Sequence, residues 1–221
     1  DIFHRLREVR SQAKALKQIA ALYREAGDFT MSQKYEVQAS EIYPDDPLLK
    51  IYTYNNRGSE LDEMNRPIEA EAQYRLALAI ARKTKSKLNE ASILRNLARV
   101  QIKAGRLNEA QKSLSLSTKV SGDDLSDKRR SQFIGLSARL ALQRNNIGLA
   151  AQLITAYFTG VDLAKTDLSD RDAHETAYKA FLNLGNPDLA LRHLEALKRL
   201  DDKTASLTAS ANTALMAARF D

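Results

Sequence analysis

Leu16, Ile19, Ala20 and Tyr23 fall at the spacing of one helical face, and that apolar pattern stops at Gly27. The same stop recurs at Asn65, Gly105, Asn145 and Gly185, at intervals of 38, 40, 40 and 40 residues. Each stop is Gly or Asn, the residues that most readily enter the left-handed region that ends a helix. Pro67 and Pro187 stand two residues after a stop, and proline at that place marks the first position of the next helix, where its missing N–H has no partner to lose. A small residue recurs five places after every stop, at Ser32, Ala70, Ala110, Ala150 and Ala190. Another lies seven places before the first four, at Ala20, Gly58, Ala98 and Ala138. Small side chains at both places predict closely crossed antiparallel helices, with Gly58 facing Ala70 and Ala98 facing Ala110. A period near forty predicts stacked helix pairs, each completing its apolar face against its neighbours.

The triplet of small residue, helix stop and later alanine resembles the tetratricopeptide repeat family. The likeness is carried by Leu16, Ile19, Ala20 and Tyr23 with Gly27-Asp28-Phe29 and Pro44; by Tyr54 and Gly58 with Ala70, Tyr74 and Ala77; and by Leu94, Leu97 and Ala98 with Gly105 and Ala110. The resemblance implies an all-α fold, a right-handed superhelix of stacked antiparallel helix pairs. It covers repeats at about 13–46, 51–84, 91–124, 131–164 and 171–204 of a single array. The fifth unit departs from the pattern with Tyr178 at the small position, and Tyr157 and Leu197 replace a late alanine in units four and five. The period also exceeds that family's usual thirty-four residues, and longer helices or an added turn would absorb roughly one and a half helical turns. HEAT-type repeats share the period and rank second, because they leave the triplet unexplained. Phe3, Leu6 and Val9 read as the end of a preceding helix over 1–12. Leu207, Ala211, Ala214, Leu215 and Ala218 predict a capping or connecting helix over 205–221 that covers the last repeat.

Composition removes several classes of chemistry. Only 8 Gly and 4 Pro among 221 residues leave little room for irregular structure. With no Cys there is no disulfide framework, thiolate metal site or cysteine nucleophile. His4, His174 and His193 form no ligand-spaced pair, so no metal and no cofactor is expected. Asp45-Asp46, Asp123-Asp124 and Asp201-Asp202 lie at unit boundaries and read as turn and helix-start residues rather than acid–base pairs. Neither a Gly-rich phosphate loop nor a Gly-x-Ser-x-Gly elbow is present, so the chain reads as a non-enzyme. No run of eighteen apolar residues occurs, and these 221 residues are expected to make no membrane contact.

Candidate binding residues emerge when the repeats are laid over one another. One place after the small position the series reads Ala21, Ser59, Arg99, Arg139, Lys179, so three cations recur at the repeat period. Arg95 lies one turn before Arg99, and Tyr52, Asn55 and Gln132 occupy neighbouring inward phases. Together they predict a basic concave groove for a protein, peptide or ligand partner, able to hold a carboxylate, a phosphate or an acidic peptide, guanidinium forks offering bidentate recognition. The competing reading is a solvated charged face, which 34 Lys and Arg residues can produce without a ligand. A net charge of +6 favours acidic partners only mildly. Aromatic residues are not interleaved with basic ones, and the Lys128-Arg129-Arg130 cluster reads as surface electrostatics, so no nucleic acid is expected.

The segment Asn212–Asp221, ending Arg219-Phe220-Asp221, resembles the stretch that follows the repeats in membrane-bound bacterial signalling proteins of the diguanylate cyclase or histidine kinase type. That resemblance implies a periplasmic input domain whose output enzyme lies elsewhere in a longer polypeptide, a view that the start at Asp1 also suggests. The alternative is a cytoplasmic scaffold for protein–protein interaction.

Overall fold

The computed structural model describes residues 2–42, 46–122 and 127–220. Pro44, Asp45, Asp123, Asp124 and Asp221, and the side chains of Phe3, Leu6, Lys128, Arg129, Ala218, Arg219 and Phe220, lie outside the described part. Among the described residues the structure is helical, without strands. The helices are α1 (Ile2–Glu25), α2 (Phe29–Ile42), α3 (Pro47–Glu63), α4 (Pro67–Lys83), α5 (Lys87–Lys103), α6 (Leu107–Ser121), α7 (Asp127–Gln143), α8 (Ile147–Phe158), α9 (Arg171–Asn183) and α10 (Pro187–Phe220). No described helix is long and apolar enough to cross a membrane.

The five stops are left-handed, with φ of 78° at Gly27, 57° at Asn65, 72° at Gly105, 59° at Asn145 and 70° at Gly185. Each follows a helix and is closed by backbone hydrogen bonds, as where the Arg66 N–H donates to the Leu61 carbonyl at 2.8 Å. Pro67 and Pro187 open α4 and α10. Lys85 is a further left-handed residue, φ 54°, in the turn between α4 and α5, and its side chain gives no sign of this in the sequence. The forty-residue period is filled by longer helices. The seventeen-residue α3 and α4 are joined by three residues, and three more lead to α5.

Two flanking expectations differ from the structure. Residues 2–12 do not form the end of a separate helix: they are continuous with the first repeat in α1, because no Gly or Pro interrupts them. Likewise Asp201 and Asp202 break nothing. They are exposed residues within the single 34-residue α10, and residues 201–207 are all exposed, so no separate capping helix exists there. Asp46, in contrast, acts as a helix start, its carboxylate accepting from the Leu48 N–H at 2.8 Å.

The chain divides into two compact units, one of residues 1–89 with 205–221 and one of 90–204. In the first, Ala20, Ala70, Ala77 and Ala81 are fully buried, and Tyr23 stacks on Tyr35 at 5.4 Å. The Ser32 hydroxyl donates to the buried Glu60 carboxylate at 2.6 Å, tying α2 to α3, and Arg57 pairs with the other oxygen of Glu60. Burial raises the Glu36 carboxyl, a tendency that the Asn56 amide and Lys17 oppose. Gly58 has a sharper reason than facing Ala70. A Cβ there would lie 2.7–2.9 Å from the ring of Tyr74, which is itself fully buried.

The core of the second unit joins Ala138, Ala150, Ile154 and Phe158 to Ala173, Ala177, Phe181 and Ala190. A neighbouring cluster holds Ala98, Ile102, Ala110, Leu114 and Leu140. Between α8 and α9 the chain crosses as a strap, residues 159–170, with short 3-10 turns at Leu163–Lys165 and Leu168–Asp170. The strap is pinned at each turn by an aspartate, Asp162 accepting from the Ala164 N–H and Asp167 from the Ser169 N–H.

Two substitutions at the α3–α4 hairpin should move stability in opposite directions. Gly58→Ala is expected to cost about 1–3 kcal/mol through overpacking against Tyr74. Asn65→Gly is expected to gain up to about 1 kcal/mol by relieving a Cβ in the left-handed region. Urea unfolding of both variants checks the signs.

Candidate binding groove

Within the second unit, α5, α7 and the start of α9 line a cavity of about 190 Å³. From α5 come Ser92, Arg95, Asn96 and Arg99; from α7 come Gln132, Gly135, Leu136 and Arg139; and the far wall is Tyr157, Ser169, Asp172 and Ala173. The periodicity explains the placement. Ser92, Gln132 and Asp172 stand forty residues apart in sequence, as do Arg99 and Arg139, so equal phases of successive first helices meet at one opening. Ala98 and Ala138, one place earlier, are fully buried, and Arg99 and Arg139 are partly buried beside them.

Four of the seven sequence candidates are therefore brought together: Arg95, Arg99, Gln132 and Arg139. The other three lie elsewhere. Tyr52 and Asn55 belong to α3 in the first unit, where the Lys17 ammonium lies 5.0 Å from the centre of the half-exposed Tyr52 ring. Lys179 keeps the phase of Arg99 and Arg139 but does not line the cavity, since α9 contributes only its first turn. Its ammonium is exposed and donates to Glu175 at 2.5 Å.

Among the described residues, the guanidinium groups of Arg95, Arg99 and Arg139 and the carboxylate of Asp172 line this cavity. Arg139 Nη1 donates to Asp172 Oδ2 at 3.0 Å, linking α7 to α9. Beside them burial acts to raise the Glu175 carboxyl, but Lys179, Arg139 and Arg171 outweigh it and hold Glu175 below the usual carboxylate range. Tyr157 closes the floor. Its ring lies under Gly135, where an added Cβ would come within 3.3 Å, and its hydroxyl donates to Asp170 Oδ1 at 2.7 Å. Burial, with the adjacent Asp170 carboxylate, pushes the phenol well above the ordinary tyrosine range. Asn96, Tyr157, Ser169 and Asp172 were not among the sequence candidates: Ser169 sits on the strap, outside the repeats, whereas Asp172 shares the forty-residue phase of Ser92 and Gln132.

The surroundings of the strap hold one more polar cluster. The buried His174 and His193 face one another with 2.9 Å between their Nδ1 atoms, and Thr166 and Arg199 complete the group. No set of three or more His, Asp or Glu residues placed to hold a metal occurs among the described residues.

The geometry of the α3–α4 pair agrees with the comparison of the sequence to known families. Residues 51–84 match the family model described as Tetratricopeptide repeat. No curated protein matches the chain by sequence. Among solved structures the chain is similar to BtubC (BKLC) from P. vanneervenii, at 17% identity and a TM-score of 0.69, over 92% of this chain and 85% of that one. It is also similar to the putative kinesin light chain with nearly identical TPR-like repeats from Podosopora anserina, at 17% identity and a TM-score of 0.60, over 88% and 97%. A third likeness is to PilW, a type IV pilus biogenesis factor, at 18% identity and a TM-score of 0.51, over 85% and 92%. The fold is thus an all-α, tetratricopeptide-like repeat fold, and these distant likenesses speak to fold alone.

Tyr157→Phe tests how the groove floor is held. Loss of a hydrogen bond to a carboxylate is expected to cost about 1.5–3 kcal/mol. Thermal unfolding together with amide exchange of residues 159–170 checks it, the expected result being lower stability with the strap's protection reduced most.

Proposed function

We propose that the chain is a non-catalytic module that binds a protein or peptide, and that the groove of α5 and α7 receives an acidic segment of that partner. The observation that carries this reading is the convergence of Arg95, Arg99 and Arg139 on one cavity. Helical repeats present extended concave surfaces suited to a partner chain. Arg139 gives Asp172 one of its five guanidinium N–H donors, so a partner carboxylate can accept from the others while the Asp172 pair stays in place. Gln132, Asn96 and Ser92 add neutral donors and acceptors for a peptide backbone.

In its finer form the proposal makes this module the periplasmic input domain of a bacterial signalling protein, with a cytoplasmic interaction scaffold as the alternative. Two features support the first: the resemblance of Arg219-Phe220-Asp221 and the residues before it to the connector of such proteins, and the unbroken course of α10 over 34 residues. A helix of that length, continuous with the partner of α9, is a mechanical element able to pass a change at the groove along its axis. The reading frame of the parent gene on both sides of these residues tests it. A leader before Asp1 and a membrane span with an output domain after Asp221 support the input-domain reading, and a frame lacking both contradicts it.

Panning a displayed peptide library on the chain tests the groove. Asp- and Glu-rich sequences should be enriched. Replacing Arg99 and Arg139 together with Glu should weaken the enriched peptides at least tenfold, about 1.4 kcal/mol or more, while the circular dichroism spectrum stays unchanged. Enrichment of neutral or basic sequences, or an unchanged affinity in the double variant, contradicts the proposal.

A further inference from the structure

The buried histidine pair has a proton order that its neighbours dictate. Thr166 has one hydroxyl proton and two lone pairs. The proton goes to the Leu163 carbonyl at 2.9 Å. Arg199 Nη2, which can only donate, takes one lone pair at 2.7 Å. With the hydroxyl proton placed on the Leu163 carbonyl, His174 Nε2, at 2.9 Å, donates to the other. A neutral His174 with its proton on Nε2 has a bare Nδ1, so the 2.9 Å contact requires His193 to donate from its own Nδ1. In this arrangement His174 is neutral, and a proton added at its Nδ1 while His193 keeps its own Nδ1 proton would set two N–H groups against one another.

This network is also what fastens the strap. Arg199 Nη2 donates to the carbonyls of Leu163 and Thr166 at 3.2 and 3.0 Å, so α10 holds the strap's backbone from one side and His174 of α9 holds Thr166 from the other. Phe158 lies 4.6 and 4.8 Å from the two imidazole rings and Phe181 stacks on His193 at 5.6 Å, so both rings are enclosed by apolar surface. The strap's other end furnishes Ser169 to the groove wall and Asp170 to Tyr157.

We propose that the His174–His193 pair is a proton-operated clasp, which holds the strap as a wall of the groove while both imidazoles are neutral and releases it on acidification, making ligand capture acid-labile. The ligand half of this proposal rests on the groove being the docking site; the clasp itself does not. Among the described residues the titratable and charged groups bearing on the pair are Asp170 at the end of the strap, with Tyr157 of α8 on its carboxylate, and Arg199 of α10. Both imidazoles are lowered to about 4, His193 by burial, and His174 by burial first and then by His193 and Arg199 against the opposing Asp170. Once the strap opens and water reaches the rings, they titrate near the ordinary 6.5. Below that value the open state binds more protons than the closed one. Closure is at full strength above pH 6.5 and is lost progressively as pH falls toward 4.

The test uses the whole chain and needs no ligand for its first part. Nitrogen-15 spectra of the histidine side chains should show His174 protonated at Nε2 and His193 at Nδ1. Amide protection of residues 159–170, corrected for the intrinsic pH dependence of exchange, should fall at least tenfold between pH 6.5 and 4.5 while α7 keeps its own. In His193→Gln the amide still donates to His174 Nδ1 but cannot titrate, and the fall should shrink by half or more. Reversed tautomers, histidines titrating near 6.5 in the folded chain, or protection indifferent to pH would each overturn the clasp, and the first two readouts stand without the variant should it fold poorly. An acidic peptide enriched on the chain should then dissociate between pH 6.5 and 5 from the wild type and remain on His193→Gln. Loss of strap protection without loss of peptide overturns the gating step. Failure of every acidic peptide to bind at pH 7.5 overturns the groove reading and leaves the spectroscopic and exchange results to decide the clasp.

Discussion

The tight turn inside each helix pair, closed by one residue with φ near 60–80°, is the constraint on which the rest depends. Three residues must reverse the chain, and only a left-handed residue lets the following N–H reach back to the carbonyls left open at the helix end. Once the reversal is that short the two helices must cross closely, which requires the fully buried Ala20, Ala98 and Ala138 on one side and Ala70, Ala110 and Ala150 on the other. Close crossing fixes the rotation of each first helix about its axis. The residue after the small position is then held at the same phase in successive first helices, and Arg99 and Arg139 come to one cavity as a consequence of backbone geometry.

Buried polar groups refine this scheme at specific joints. Ser32 takes the place of an alanine and uses its hydroxyl on Glu60, and Ser113 does the same on Gln101 at 2.8 Å. Each joins two helices through a hydrogen bond that offsets part of its partner's cost of burial. The same logic governs the strap, where a segment without helix or sheet ladders is held by Asp162, Asp167, Thr166 and Arg199. Irregular chain can form a wall of the groove only because its backbone groups are supplied with partners in this way.

Much of the fold was legible because the features that build it restrict residue type. Left-handed turns select Gly and Asn, close crossings select Ala, and helix starts select Pro, so the stops, the pairing and four groove residues follow from one-dimensional spacing. What was not legible has no such restriction. Lys85 is left-handed without a residue that announces it, and α1 runs through 2–12 because no breaker is there to see. Lys179 shares the phase of two groove arginines, yet α9 meets the cavity only at its first turn and Glu175 holds the ammonium. His174 and His193 are nineteen residues apart on different helices. No ligand-type spacing links them, and their meeting depends on the antiparallel course of α9 and α10.

The central claim is that Arg95, Arg99 and Arg139 act together as the recognition surface for an acidic segment. Following the guanidinium Nε–H resonances by NMR while an Asp- and Glu-rich peptide is added tests it most directly. The account predicts saturating shifts confined to Arg95, Arg99 and Arg139, with exposed Arg144 unmoved. Shifts spread evenly over the exposed arginines, or concentrated away from these three, would contradict it.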